Sequence, residues 1–445
     1  AELLRARTLL VVGEYVDGLA VAEAAAARAD ALGWAPLEAL ADFTVGLLLS
    51  RNGRFDDAEL RLRQAVRRSL VGADERIAVE AIYYLGMVTR DLHAPERGLV
   101  WVEVGRALVE RIEGAGGNMT AMMREAEAVL LLERDEVSRA EESAGEAVTI
   151  REAHYGADDL GMAPSLELLA TIRERRGDLA GAKPIRERVQ AIFERAHGPN
   201  HPKVAHGLHN LGLAYLRVDD AARARPLLER ALAISEQTYG RDSAQLVRLL
   251  NTLGTTLSQL DDHDAAIATG ERSLAISEAA FGPEHPQVAA ALNNLAIAYQ
   301  GAEKLDKAAE LHRRALAIRV AHYGDKGDEV ARSHTNLGEI AIKQGRIAEA
   351  IEHLEHAVAL REAIEVSPLS LAYSRFALAR AIVALDPGRA QELAKLAEDA
   401  YAAAEHPRAA EIAEWRADAA KAKGTDAKKR KRTKKRKRKS KSKKK

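Results

Sequence analysis

One internal period constrains the fold of this 445-residue chain more than any other feature. An aromatic residue or histidine followed by glycine recurs every 42 residues, at Tyr155-Gly156, His197-Gly198, Tyr239-Gly240, Phe281-Gly282 and Tyr323-Gly324. Columns of leucine, alanine and isoleucine keep the same register. A fixed period of this length is typical of repeat architectures. The chain is therefore predicted to be a stack of similar units rather than a set of independent domains.

Each period contains two helical stripes of apolar residues. The first stripe has the spacing i, i+4, i+7, i+11, as in Val204, Leu208, Leu211 and Tyr215, and the second follows after a short break. We therefore predict two antiparallel helices per unit, with small residues where they meet. The glycine after the aromatic residue is expected to end a helix in the left-handed conformation. Pro202 and Pro286 suit the first turn of the next helix, whereas Pro184 and Pro226 fall inside predicted helices and predict kinks.

The segments LHNLGLAYLRVDDAARARPLLERALAI and LNNLAIAYQGAEKLDKAAELHRRALAI resemble tetratricopeptide repeats. The period of 42 and the segment FGPEHPQVAAALNNLAIAY are similar to the long variant found in kinesin light chains and many bacterial proteins. This resemblance implies an all-α, right-handed α-solenoid of about ten helix pairs, closed by a capping helix near residues 407–422. We expect divergent repeats in 1–135, regular repeats in 136–363, a divergent last repeat with the capping helix in 364–423, and a separate tail in 424–445.

The charge distribution sets the tail apart. Residues 424–445 contain 15 of the 66 basic residues and one of the 66 acidic residues, so the tail carries +14 and the preceding residues −14. Such a segment buries no apolar surface and is expected to be disordered. It is either a solubilising polycation or a nonspecific anchor for nucleic acid or an anionic surface. The anchoring residues would be Lys428, Lys429, Arg430, Lys431, Arg432, Lys434, Lys435, Arg436, Lys437, Arg438 and Lys439.

Composition and motifs exclude several kinds of chemistry. The sequence has no cysteine, and hence no disulfide, thiol nucleophile or thiolate metal site, which fits a cytoplasmic location. No apolar run is long enough for a membrane span. The chain begins at Ala1 without methionine, which suggests that it was cut from a longer protein. GAGGN at 114–118 lacks the GK[ST] of a phosphate loop, and no GxSxG or HExxH motif occurs. We expect no catalytic site and no cofactor.

The histidine-rich stretch HGPNHPKVAHGLHN at 197–210 raises the question of a metal site. His197 occupies the aromatic position of the repeat and His201 lies in a loop beside Pro202. Only His206 and His209 share a helix face, and no neighbouring carboxylate or thiolate completes a tetrahedral set. Repeat architecture is therefore the favoured interpretation.

A surface for partners remains, because the first helices of such repeats line a concave groove. The resemblance implies that the groove residues are His206, His209, Arg217, Arg248, Asn251, Gln259, Asn293, Gln300, Arg332, Thr335 and Lys343. They are polar or basic in an otherwise acidic body, while Glu167 and Glu174 make the preceding unit more acidic. Asparagine is a poor helix former, so Asn251 and Asn293 favour a binding role. We expect a peptide with an acidic stretch as the partner.

Three functions stay open at this point. The first is a protein-interaction scaffold that binds a partner in the groove. The second is a nucleic-acid-associated adaptor that uses the tail. The third follows from a resemblance of the N-terminal units, GEYVDGLAVAEAAAARADALGWAPLEALADFTVGLLLSRNGRFDDAE, to repeat regions of large bacterial Ser/Thr protein kinases. It implies a regulatory or substrate-docking half of a kinase whose catalytic domain is not in this chain.

Overall fold

The computed structural model describes residues 1–114, 116–364, 366–404 and 406–421, and within these ranges it contains helices, turns and loops but no strand. The helices are α1 Glu2–Val12, α2 Tyr15–Leu32, α3 Ala35–Arg51, α4 Phe55–Val71, α5 Glu75–Asp91, α6 Pro95–Glu113, α7 Asn118–Glu133, α8 Val137–Tyr155, α9 Ala163–Arg176, α10 Leu179–His197, α11 Pro202–Arg217, α12 Ala221–Tyr239, α13 Val247–Gln259, α14 His263–Phe281, α15 Pro286–Gly301, α16 Leu305–Tyr323, α17 Asp328–Lys343, α18 Ile347–Glu362, α19 Pro368–Ile382, α20 Pro387–Ala403 and α21 408–421. The prediction of an all-α repeat protein with about ten helix pairs and a final helix is confirmed.

The chain divides into two compact units, one with α1–α11 in residues Ala1–Asp220 and one that begins with α12 at Ala221. In the first unit consecutive helices pack together, and α1, α3, α5, α7 and α9 also contact one another in turn. In the second unit α13 contacts α15, and α17 contacts α19. The odd-numbered helices of each unit therefore form a separate layer from the even-numbered ones. The predicted boundaries at 135/136 and 363/364 separate regular repeats from divergent ones, and they remain predictions.

Small residues let paired helices approach closely, as expected. The six alanines of the column on the even-numbered helices, from Ala140 to Ala350, are at most 1% exposed. A Cβ on Gly338 of α17 would lie 2.5 Å from Leu354 Cγ of α18. Larger side chains at these positions would force the helices apart. Within the described ranges no helix is both long and apolar enough to cross a bilayer.

The glycines after the aromatic residues differ in one respect from the prediction. Gly156, Gly198, Gly282 and Gly324 have the expected positive φ, between 73° and 86°, but their ψ lies between 154° and 178°. This is the mirror image of extended backbone, not the left-handed helical conformation, and it is open almost only to glycine. The chain therefore leaves each helix abruptly in an extended direction instead of closing it with another turn.

Histidine has a structural role at the start of the next helix that the sequence interpretation missed. The ring Nδ1 atoms of His201 and His285 accept hydrogen bonds from the backbone N–H of Lys203 and Gln287, at 3.1 and 3.2 Å. Each ring also stacks on the residue before the glycine, with His201 4.3 Å from His197 between ring centroids. These histidines are helix N-caps followed by proline at the first helical position. The His-Pro pair was the sequence signal that could have predicted these N-caps.

Two helices contain an internal proline. α10 continues through Pro184 and α12 through Pro226, so the prediction that these segments stay helical is confirmed.

The start of the first helix differs in the repeat near residue 246. Ala244–Leu246 forms a 3₁₀ turn, and α13 begins only at Val247. This repeat has alanine where its neighbours have proline to start the first turn.

A buried ion pair holds α7, α8 and α9 of the first unit together. Arg151 of α8 binds Glu125 of α7 in a bidentate arrangement, at 2.7 and 2.9 Å, and both side chains are below 10% exposure. Arg151 also donates to Asn118 Oδ1 at 2.9 Å, and Ser165 of α9 donates to Glu125. Burial, and then the Glu125 carboxylate, raises the pKa of the nearby Tyr83 phenol to about 12. The two charges thus pair with each other and with the neighbouring polar side chains of Asn118 and Ser165.

Candidate partner-binding face

The exposed surface of α13, α15 and α17 in the second unit carries several predicted groove residues, and we call it the odd-helix face. Arg248 of α13, Ala290 of α15 and Arg332 of α17 occupy the same position in three successive repeats. α13 packs on α15, and Asn336 Nδ2 donates to Asn293 Oδ1 at 2.9 Å, which joins α17 to α15. The two arginines therefore belong to one column across neighbouring helices, with a small side chain between them.

Positive charge is in excess at the α17 end of this column. The carboxylate of Glu329 pairs with Arg332 and also with Arg319, whose Nη2 lies 3.2 Å from Glu329 Oε2. Arg319 is buried and also donates to Ser333 Oγ at 2.5 Å. Burial, and then the guanidinium of Arg332, lowers the pKa of Arg319 to about 10. Two guanidinium groups thus share one carboxylate, and Arg332 Nε has no hydrogen-bond partner among the described residues.

The remaining candidates of the second unit divide by exposure. Arg248, Gln259 and Lys343 are exposed, and Gln300 is half-buried. In the part of the chain that the structure describes, neither Arg248 nor Lys343 has an ion-pair partner. Asn251 is half-buried, and its Oδ1 accepts a hydrogen bond from Ser273 Oγ of α14 at 2.7 Å. The odd-helix face therefore presents cations and amides whose hydrogen-bonding capacity is only partly used within the protein.

Three predicted groove residues lie inside the fold, which corrects their placement. His209, Asn293 and Thr335 are 4%, 6% and 0% exposed. Asn293 accepts from Asn336, and the Thr335 hydroxyl contacts Ala331 O at 2.9 Å and Ser374 Oγ of α19 at 2.8 Å. Asn293 and Thr335 therefore contact a neighbouring odd-numbered helix rather than solvent. For Asn293, hydrogen bonding within the protein replaces the partner that its sequence position suggested.

The other two candidates in the first unit, His206 and Arg217 of α11, are paired with carboxylates of α9. His206 Nε2 lies 3.3 Å from Glu167 Oε1, and Arg217 binds Glu174. Arg186 of α10 also binds Glu174, at 3.0 Å from its Nε. Glu174 is thus neutralised by two arginines and adds no acidic character to the surface. The proposed surface is therefore restricted to the second unit, and the predicted tail residues 428–439 lie outside the described residues.

The arrangement of these elements defines a class of protein, the all-α helical-repeat proteins, in which paired helices stack and one helix layer offers a binding surface. Sequence comparison gives the family of the repeats. The tetratricopeptide repeat family matches residues 161–237, 208–279 and 245–321, and a second tetratricopeptide profile matches residues 331–364. These segments are tetratricopeptide repeats, as the sequence resemblance implied. The matches begin at residue 161, so they do not bear on the kinase resemblance of the N-terminal units.

Solved structures similar to this chain include proteins of the kinesin light chain type. Kinesin light chain TPR-like repeats of Podosopora anserina are 25% identical, cover 45% of this chain and 94% of their own, and have a TM-score of 0.41. BtubC (BKLC) of P. vanneervenii is 24% identical over 52% of this chain and 91% of its own, with a TM-score of 0.42.

The apo form of RapI covers more of this chain. It is 14% identical over 64% of this chain and 97% of its own, with a TM-score of 0.50. At this identity the similarity concerns the fold alone. No curated protein matches the chain.

Proposed function

We propose that this protein is a cytoplasmic interaction scaffold whose odd-helix face in the second unit binds a peptide segment that carries carboxylates. Tetratricopeptide repeat proteins are generally interaction scaffolds and typically have no catalytic site. The observation that carries the proposal is the charge of the column from Arg248 to Arg332. Arg319 and Arg332 share the single carboxylate of Glu329, and Arg248 has no ion-pair partner among the described residues.

A peptide that carries two carboxylates provides a charge partner for the arginine at each end of this column. Guanidinium groups bind carboxylates through two parallel hydrogen bonds, and such charge-assisted bonds are stronger than neutral ones. A second carboxylate beside Arg332 would restore charge balance around Arg319 and Glu329. Gln259 and Gln300 offer amide donors and acceptors for the backbone of an extended peptide. The chain before the tail carries −14, which repels acidic segments elsewhere and favours their binding at the basic column.

Binding should depend on the two arginines of the column. An array of 15-residue peptides with varied acidic content is probed with the full chain, and the strongest peptide is then titrated by fluorescence anisotropy. We expect acidic peptides to be selected. The double variant Arg248→Ala plus Arg332→Ala should weaken the selected peptide by about 10–100-fold, because two charge-assisted contacts are lost.

A matched control removes the same charge from the even-numbered helices. Arg313→Ala plus Arg389→Ala deletes two half-exposed arginines of α16 and α20 and should leave the affinity within about twofold. The basic tail is present in every sample, so its nonspecific contribution is the same for the wild type and for both double variants. Equal affinity of the wild type and the Arg248/Arg332 variant, or equal loss in both double variants, contradicts the assignment of the site.

A further inference from the structure

Three histidines and one aspartate converge in the second unit, away from the odd-helix face described above. Asp325 lies in the loop between α16 and α17, His334 on α17, and His353 and His356 on α18. One ligand atom from each of Asp325, His334 and His356 lies within 4.8 Å of the other two. His356 Nε2 is 3.1 Å from Asp325 Oδ1, and His334 Nδ1 is 2.9 Å from His353 Nδ1. All four belong to elements that pack on one another.

The repeats themselves provide an internal comparison for these positions. His334 stands where the four preceding repeats have a buried leucine, namely Leu166, Leu208, Leu250 and Leu292. His356 stands where they have arginine, namely Arg188, Arg230, Arg272 and Arg314. His353 replaces Ile185, Leu227, Thr269 and Leu311, and Asp325 replaces Ala157, Pro199, Arg241 and Pro283.

The replaced arginines show what the position does in an ordinary repeat. Arg272 Nη2 donates to the carbonyl oxygen of Arg241 at 2.6 Å, and Arg314 pairs with Glu278 at 2.6 Å and donates to Pro283 O at 3.3 Å. The arginine thus joins its even-numbered helix to the preceding even-numbered helix and to the loop that follows that helix. In the repeat of α17 and α18 four positions change together, and all four replacements are residues that bind metal ions. Ordinary packing of the repeat accounts for none of these changes, since leucine and arginine satisfy it elsewhere.

We infer that Asp325, His334 and His356 form a binding site for a divalent transition-metal ion, with Zn²⁺ as the best match to the donor set. Two imidazole nitrogens and a carboxylate oxygen are ligands of Zn²⁺, which prefers a tetrahedral set at about 2.0–2.2 Å. Ligand atoms in such a set lie roughly 3.3 Å apart, close to the separation of His356 Nε2 and Asp325 Oδ1. The ion takes the place of the proton that these two groups share, and water completes the coordination.

His353 is a positioning residue in this site. A neutral imidazole has one donor and one acceptor nitrogen, so in the hydrogen bond between the two Nδ1 atoms one ring donates and the other accepts. When His334 Nδ1 donates to His353, the Nε2 lone pair of His334 is left for the metal ion. Such a bond to the second nitrogen of a metal-binding histidine orients the ring. The site would link α18 to α17 and to the loop after α16, and Arg272 and Arg314 make the corresponding link to the loop in their repeats.

Metal titration of the full chain without an affinity tag tests the inference. Zn²⁺ is added in competition with a chromophoric chelator, and Co²⁺ absorption reports the coordination. We expect one tightly bound equivalent and the intense visible bands of tetrahedral Co²⁺. His334→Leu and His356→Arg each restore the residue of the other repeats, so both variants should fold, and each should weaken binding by more than about 100-fold. His353→Leu should weaken it by about 10–100-fold and alter the Co²⁺ spectrum.

The control is His154→Gln, which replaces an exposed histidine in the first unit. His154 has the same Ala-His-Tyr-Gly sequence context as His322 of the second unit. It should leave the tight equivalent unchanged. Far-UV circular dichroism checks that each variant is folded. The inference is overturned if the wild type takes up no stoichiometric Zn²⁺, or if the wild type, His334→Leu and His356→Arg bind it with equal affinity, which would indicate adventitious binding to the chain's other histidines.

Discussion

Replacement of Arg151 by methionine is expected to lower the free energy of local unfolding of α7, α8 and α9 by about 3–5 kcal/mol. Methionine replaces the unbranched apolar part of the arginine side chain, but it leaves the Glu125 carboxylate buried without its bidentate partner. An uncompensated buried charge costs more than the pair contributes when it is intact. The effect should be confined to α7, α8 and α9, whose contact the pair mediates.

Hydrogen exchange of backbone amides, followed by mass spectrometry, measures this loss helix by helix and does not require two-state unfolding. Peptides from α7–α9 should exchange faster in Arg151→Met, while peptides from α13–α15 should not change. The double variant Glu125→Leu plus Arg151→Met removes both charges and should recover most of the lost protection. Unchanged exchange in the single variant, or a double variant that is less protected than the single one, contradicts this account of the buried pair.

Replacement of His312 by leucine is expected to stabilise the second unit. His312 of α16 is fully buried, and neither ring nitrogen has a hydrogen-bond partner among the described residues. The same column contains Leu228 and Leu354, both fully buried, although Leu354 packs against Gly338, whose equivalent in the repeat of His312 is Ala296. A buried polar group without a partner costs about 1–3 kcal/mol. We expect a gain of this size in the free energy of unfolding at pH 7.

The gain should grow as the pH falls. Burial, and then Arg319, lowers the pKa of His312 from 6.5 to about 4 in the folded protein. Between these two values the unfolded chain binds more protons than the folded one, so acid favours unfolding. The contribution of neutral, buried His312 to the free energy of unfolding is fully present above pH 6.5. It declines by up to roughly 3 kcal/mol as the pH drops towards 4. His312→Leu removes this pH-dependent loss, so the stability gained by the variant over the wild type increases at low pH.

Hydrogen exchange of peptides from α15–α17 at pH 7 and pH 5, corrected for the intrinsic pH dependence of exchange, checks both effects. The matched control is His322→Leu, on the same helix but exposed, which should behave like the wild type. Equal protection of the wild type at both pH values, or lower protection in His312→Leu at pH 7, contradicts the role assigned to His312.

The helices, their pairing and the alanine contacts followed from the 42-residue period, because apolar spacing and small residues have direct steric consequences. Other features follow from side chains that meet only in three dimensions. Arg151 and Glu125 are 26 residues apart, and polar residues in a helical stripe are expected at the surface unless a partner is known. The N-cap role of His201 was within reach of sequence reasoning, since His-Pro precedes each of the helices concerned.

The predicted groove residues show the limit of transferring positions from a family resemblance. Arg248 and Lys343 are exposed as expected, but His209, Asn293 and Thr335 are buried, and Asn293 and Thr335 contact a neighbouring odd-numbered helix. The column of Arg248 and Arg332 lies three residues before the column of Asn293 and Thr335 in the repeat, and only the packing of the odd-numbered layer decides between the two environments. The histidines of the proposed metal site are distributed over α17 and α18 and form no local motif, although comparison of the repeat columns would have singled them out.

The most direct test of the central claim is hydrogen exchange of the full chain with and without the strongest acidic peptide from the array, at saturating peptide concentration. A ligand on the odd-helix face should protect amides of α13, α15 and α17 and leave α14, α16 and α18 unchanged. The protection should disappear in the Arg248→Ala plus Arg332→Ala variant. Protection confined to the even-numbered helices, or to the first unit, would contradict the proposed binding face.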